Sequence, residues 1–223
     1  MHLACTLIAF LSVALVTQAS LFGGSSKSET PESSSDTQHA KLSDGWSSVT
    51  VGSTIKLTHT KTSTRLMLPQ VSYGTGSQQQ AITAFTDTTT TKALWLIEQP
   101  GQARGHPVKC NTKVRLVNSD SGHSLHSHAN HQAPISGNQE VSGFDGRDSG
   151  DLWTVECSGG AELWLREVPV YLRHVETGKY LQSLGAKKYR QPIVGHQEVS
   201  GSKKPDTNAQ WTAMEGYYFA LNK

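Results

Sequence analysis

The chain has 223 residues, enough to bury a sizeable core in one domain or two small ones, and this excludes the mini-protein class. Hydrophobic residues make up 35%, aromatics 7% and charged residues 17%, with 20 glycines, so the enrichment of helical bundles is missing and a turn-rich β protein is favoured. A net charge of +2, with the positive residues scattered along the chain, argues against nucleic acid as a partner.

The run from Leu3 to Val16 is almost entirely apolar, too short to span a bilayer, and is followed by Thr17-Gln18-Ala19. This pattern predicts a signal peptide over residues 1–19, with an uncleaved anchor as the alternative because the charged segment before it is weak. No later stretch approaches membrane length, so the mature chain is expected to have no membrane span and to meet an oxidising compartment. Residues 20–45 form a Ser-rich segment with too few apolar side chains to offset the entropy of ordering, which predicts a disordered linker. The folded part is expected over 46–219, leaving a short tail at 220–223.

With Cys5 inside the signal, the mature chain keeps Cys110 and Cys157. An even pair in an oxidising compartment predicts a disulfide between them, with two separate buried thiols as the alternative.

An internal period governs the rest. Trp95, Trp153 and Trp211 fall 58 residues apart. Each unit opens on an alternating strand pattern: Thr54-Ile55-Lys56-Leu57, Lys113-Val114-Arg115-Leu116 and Pro169-Val170-Tyr171-Leu172. A polar turn and a second strand follow, with seven residues separating His59 from Leu66, Asn118 from Leu125 and His174 from Leu181. Gly122 and Gly178 sit in that turn in the second and third units, where the first has Ser63-Thr64. Further along, Gln80-Ala81-Ile82, Gln139-Glu140-Val141 and Gln197-Glu198-Val199 recur in register. Units of this size cannot bury their apolar faces alone and must share one core. Three four-stranded units fit a closed all-β architecture, the β-trefoil: a six-stranded barrel capped by three hairpins, with the three tryptophans at equivalent core or cap positions.

The run Leu125-His126-Ser127-His128, then Pro134 to Ser142 (PISGNQEVS), resembles the MIR domains of the stromal cell-derived factor two family. So do the contexts Gly105 to Cys110, Trp153 to Cys157 and Trp211 to Gly216. The resemblance implies three MIR repeats in the endoplasmic reticulum lumen, without enzymatic activity. It further implies association with a lumenal J-domain co-chaperone and its ATPase chaperone in folding quality control and the unfolded protein response, with misfolded or O-mannosylated proteins as clients. Such proteins often end in a KDEL-like retrieval signal, whereas this sequence ends Ala220-Leu221-Asn222-Lys223, so secretion is the second choice of destination.

A search for catalytic residues agrees that there are none. Gly146-Arg147-Asp148-Ser149-Gly150-Asp151 has the composition of a serine-protease nucleophile turn but reads as a surface turn. Gly74-Thr75-Gly76 lacks a third spaced glycine, and no zincin motif or cofactor signature is present. His123, His126, His128 and His131 cluster within nine residues, and a strand through 126–128 puts two imidazoles on one face. Without a fixed carboxylate or thiolate partner such imidazoles bind metals weakly, so no metal site is expected. The favoured candidate is a groove for a partner or ligand lined by His126, Ser127, His128, Ser136, Asn138, Gln139 and Glu140, whose donors and acceptors suit peptide backbone or hydroxyl-rich molecules. The competing assignment for Gln139 and Gln197 is that their amides satisfy backbone groups in the loop. Two functions follow: an interaction subunit of a chaperone complex, and a lectin-like binder of mannose-containing glycans. The second lacks the Gln-x-Trp of ricin-type trefoils, since Gln210 directly precedes Trp211.

Overall fold

The computed structural model describes residues 46–220. The expected signal peptide, the linker and residues 221–223 of the tail lie outside the described residues.

Four strands arise from each sequence unit. The first unit gives β1 (Thr54–His59), β2 (Arg65–Met67), a third strand broken at Ile82 into β3 (Gln80–Ala81) and β4 (Thr83–Phe85), and β5 (Trp95–Glu98). The second gives β6 (Lys113–Asn118), β7 (Ser124–Gln132), β8 (Gln139–Phe144) and β9 (Trp153–Cys157). The third gives β10 (Pro169–His174), β11 (Tyr180–Lys188), β12 (Gln197–Ser202) and β13 (Gln210–Tyr217). Each ends in a one-turn 3-10 helix before its last strand: Thr91–Ala93, Ser149–Asp151 and Thr207–Ala209.

The first and last strands of the units close a ring. β1 pairs with β5, β5 with β6, β6 with β9, β9 with β10, β10 with β13, and β13 returns to β1, all antiparallel. The middle strands form the capping hairpins β2–β4, β7–β8 and β11–β12, joined to one another through β12–β4, β12–β8 and β3–β8. This is the β-trefoil, and closure leaves the barrel without a free edge.

The three periodic tryptophans are core residues, each fully buried, and each indole N–H donates to the carbonyl of the leucine that is the second residue of its unit's second strand. The bonds are Trp95 to Leu66 (2.9 Å), Trp153 to Leu125 (2.8 Å) and Trp211 to Leu181 (2.9 Å). A buried indole needs such an acceptor, and its repetition fixes how each hairpin sits on the barrel. The hairpin turns adopt the left-handed backbone that the glycines foretell, at Gly122 (φ 78°) and Gly178 (φ 68°), and Ser63 takes the same conformation (φ 55°) in the first unit. Cys110 and Cys157 form a disulfide, tying the segment before β6 to the end of β9.

Candidate functional site

The residues that the sequence singles out converge where the second repeat meets the third, but they divide into an inner layer and a rim. Alternation along β7 sends Leu125 into the core, while His126 is also buried, at 1% exposure, because the turn Ser149–Asp151 folds over it. The His126 Nδ1 lies 2.9 Å from Asp151 Oδ1. Asp151 is itself fully buried; its Oδ2 accepts the Asp148 backbone N–H at 3.0 Å and the Arg115 Nε–H at 3.3 Å. Asp148 caps the turn from the other side, its Oδ1 accepting the Gly150 N–H at 2.8 Å, so a capping box holds both carboxylates in place. The sequence expectation of a plain surface turn is therefore corrected: one of its acids is a buried partner of a histidine. The expectation that the imidazoles lack a fixed carboxylate falls with it.

His128 is half-buried at the rim. Its ring stands edge-on to that of His126, with centroids 4.4 Å apart, between Asp148 Oδ2 and Glu176 Oε2, each 3.8 Å from a ring nitrogen. Gly150 permits this approach: a Cβ there would lie 2.7 Å from His126 Cε1 and 2.9 Å from His128 Cε1. The Ser149 hydroxyl donates to Glu176 at 3.3 Å and not to an imidazole, so the turn assembles no nucleophile and base.

Three predicted groove residues prove to be interior. Ser127 is buried; its hydroxyl donates to the Glu140 carbonyl at 2.5 Å and accepts the Gln139 amide at 2.7 Å. Glu140, one residue along β8 from Gln139, faces the opposite way and is buried beneath the first repeat, where it accepts the Ser77 hydroxyl. His126, Ser127 and Glu140 thus line no surface, because period-two alternation and the folded-over turn take them inside. Ser136 and Asn138 remain in the partly exposed turn between β7 and β8, the Asn138 N–H bonded to the Ser136 hydroxyl at 3.2 Å.

Gln139 bridges the repeats. Besides Ser127, its amide donates to the Thr177 hydroxyl at 2.8 Å in the next hairpin turn. Gln197 does the equivalent job one repeat on, its Oε1 accepting from Ser183 at 3.0 Å and from Thr64 of the first repeat at 3.4 Å. The amides therefore satisfy hydroxyls across repeat boundaries, where backbone groups of their own loop had been the alternative. Beside Gln139 lies an open groove between the repeats, walled by His131, Gln132, Glu176, Thr177 and Lys179. Sequence reading missed Asp151, Glu176 and Lys179. The signal for Asp151 was present in the 58-residue period, which aligns it with Ala93 and Ala209. The groove acids and bases of β10–β11 carried no such mark.

Burial lowers the proton affinity of three other histidines, His196 among them. His59 and His174, the matching last residues of β1 and β10, are both held below the usual histidine range by desolvation, against the opposing pull of a carbonyl on Nε2, Asn208 and Gly150 respectively.

A family model described as MIR domain matches residues 47–199, and with the closed three-repeat barrel this makes the chain a MIR-domain β-trefoil protein. It is 39% identical over 176 residues to Stromal cell-derived factor 2 of Homo sapiens, an overlap of 76% of this chain and 82% of that protein. The crystal structure of the SDF2-like protein from Arabidopsis thaliana superposes with a TM-score of 0.76 at 38% identity, covering 79% of this chain and 99% of that one. The chain belongs to the stromal cell-derived factor 2 family. Part of the S. cerevisiae protein O-mannosyltransferase Pmt1-Pmt2 complex bound to the sugar donor also superposes, with a TM-score of 0.70 at 26% identity, over 83% of this chain and 28% of that one. Among the described residues no helix is long and apolar enough to cross a membrane.

Proposed function

We propose that the protein is a non-enzymatic interaction subunit of the endoplasmic reticulum lumen that works with a J-domain co-chaperone and its ATPase chaperone in folding quality control. The observation that carries this reading is the family membership itself, at 39% identity over most of the chain. The chemistry of the site is consistent with it. The turn that resembles a nucleophile motif directs its serine to a carboxylate, whereas the exposed groove offers amide, hydroxyl, imidazole and ammonium groups fit to bind polypeptide. Affinity purification of the protein from a secretory-pathway extract is expected to recover a J-domain protein together with an ATPase chaperone.

A second reading is supported by the likeness to the O-mannosyltransferase structure: the groove binds mannose-containing glycans, on O-mannosylated clients or free. Its donors and acceptors, with the backbone left accessible by Gly137, suit vicinal hydroxyls. Recovery of glycoproteins alone, released by free mannose, would replace the first reading with this one. Recovery of neither class would overturn both.

A further inference from the structure

The three repeats provide an internal control for the His126 cluster. Trp95, Trp153 and Trp211 bond to Leu66, Leu125 and Leu181, so the next residues, Met67, His126 and Gln182, are equivalent. Two residues further, Pro69, His128 and Leu184 correspond. The 3-10 turns are capped by Thr90, Asp148 and Asp206, and they end on Ala93, Asp151 and Ala209, all three of which are fully buried. The same backbone is thus built twice with Ala at the buried position. In the second repeat alone it carries a buried carboxylate facing a buried imidazole, an arrangement that costs desolvation and that the trefoil does not require.

From this geometry we infer that His126, His128 and Asp148 form a binding site for a divalent transition-metal ion such as zinc. Each of the three offers a ligand atom within 4.8 Å of the other two. His126 Nδ1 lies 3.6 Å from Asp148 Oδ1, and His128 Nε2 lies 3.8 Å from Asp148 Oδ2. Both separations are too long for hydrogen bonds, and they run to the two oxygens of one carboxylate; a tetrahedral cation with bonds of about 2.1 Å needs one of those oxygens and both ring nitrogens about 3.4 Å apart. The adjustment from the 4.8 Å that spans the three ligand atoms falls on half-buried His128 and exposed Asp148, whose side chains can turn where buried His126 cannot. The surroundings are those of a ligand set: Asp148 is oriented by the Gly150 N–H, and His128 presents its other nitrogen to Glu176. Asp148, Asp151 and Glu176 place three carboxylates around the two imidazoles, and the guanidinium bonded to them is that of Arg115. On binding, the cation takes the place of the proton on His126 Nδ1, and the ring stays neutral by carrying its proton on Nε2 instead.

The test uses the full mature chain without an affinity tag and zinc chloride as the probe, in competition with a chromophoric chelator and by thermal shift. Binding of one zinc ion per chain and an upward shift in melting temperature are expected. Asp148→Asn keeps an effective cap, and His128→Leu copies the third repeat; each is expected to weaken zinc binding by about tenfold or more while leaving the metal-free melting temperature close to that of the parent. His131→Ala, outside the cluster, is expected to bind as the parent does. The inference is overturned if the parent chain takes no zinc from the chelator, or if stoichiometric binding survives both Asp148→Asn and His128→Leu.

Discussion

Glu198 of the third repeat reaches under the turn of the second and accepts the backbone N–H of Ser136 at 3.1 Å, with the adjacent Ile135 N–H at 2.7 Å on its other oxygen. Its carboxylate is fully buried, and Glu140, the matching residue one repeat earlier, reaches the first repeat through one side-chain bond, accepting the Ser77 hydroxyl. Each of these acids therefore staples the preceding repeat onto its own. Glu198→Ala is expected to destabilise the protein by about 2–4 kcal/mol, since it strands two backbone donors and opens a cavity. Glu198→Gln is expected to cost less, because one amide oxygen still accepts. Urea denaturation followed by tryptophan fluorescence distinguishes the two, and equal stability for all three chains would refute the staple.

The pH dependence follows from His59 and His174. In each, Nε2–H donates to a carbonyl, and Nδ1 accepts from a threonine hydroxyl in the following turn: 2.9 Å to Gly150 and 2.9 Å to Thr177 for His174, 2.9 Å to Asn208 and 2.7 Å to Thr62 for His59. Both folded-state values lie below the ordinary one, so the unfolded chain binds more protons below about pH 6.5. The stability they contribute is complete above that pH and declines as the solution is acidified towards the folded-state values. Melting temperature is expected to fall between about pH 7 and pH 5. Asn118 occupies the equivalent position in the second repeat, its amide donating to the Lys92 carbonyl at 2.8 Å and its Oδ1 accepting two backbone N–H groups of the turn. His174→Asn is therefore expected to retain the turn and to flatten the acid limb of the profile; an unchanged slope would count against this assignment.

The fold was legible because it is written three times. The Trp95, Trp153 and Trp211 period and the strand alternation report burial, which depends on side-chain type, and side-chain type is what a sequence displays. The groove was less legible. His126, Ser127 and Glu140 carry polar side chains that ordinarily mark a surface, and whether such groups are buried depends on partners far along the chain: Asp151 for His126, Ser77 for Glu140. The sequence puts Gln139 in a groove or in the bonding of its own loop, whereas its partner Thr177 lies 38 residues away on the next hairpin, a distance no local pattern spans.

The disulfide closes a separation of 47 residues, for which chain entropy gives an upper contribution of about 4 kcal/mol. It joins two segments that already meet through backbone bonds, Cys110 N–H to the Glu162 carbonyl at 2.9 Å and Asn111 N–H to the Val155 carbonyl at 2.7 Å. Reduction, or the double change Cys110→Ser and Cys157→Ser, is thus expected to lower stability by about 2–4 kcal/mol without unfolding the barrel at room temperature. Far-UV circular dichroism and urea midpoints under reducing and non-reducing conditions check this, and loss of β structure on reduction would show that the bridge is needed to form the fold.

The binding proposed for the groove can be separated from stability because its lining residues are of two kinds. Gln139 and Thr177 are bonded to each other and support the repeat boundary, whereas His131 and Lys179 lie on the walls with polar heads free to meet a partner. The double change His131→Ala and Lys179→Ala is expected to alter stability by no more than about 0.5 kcal/mol, the usual range for surface substitutions. Capture of the co-chaperone or client is expected to fall by about tenfold or more, as when a central contact of an interface is removed. A control pair outside the groove, Gln102→Ala and Lys109→Ala, lines a separate depression and is expected to leave capture intact. Measured together by pull-down and thermal melting, loss of capture with the second pair and not the first would move the docking face away from the boundary between the second and third repeats.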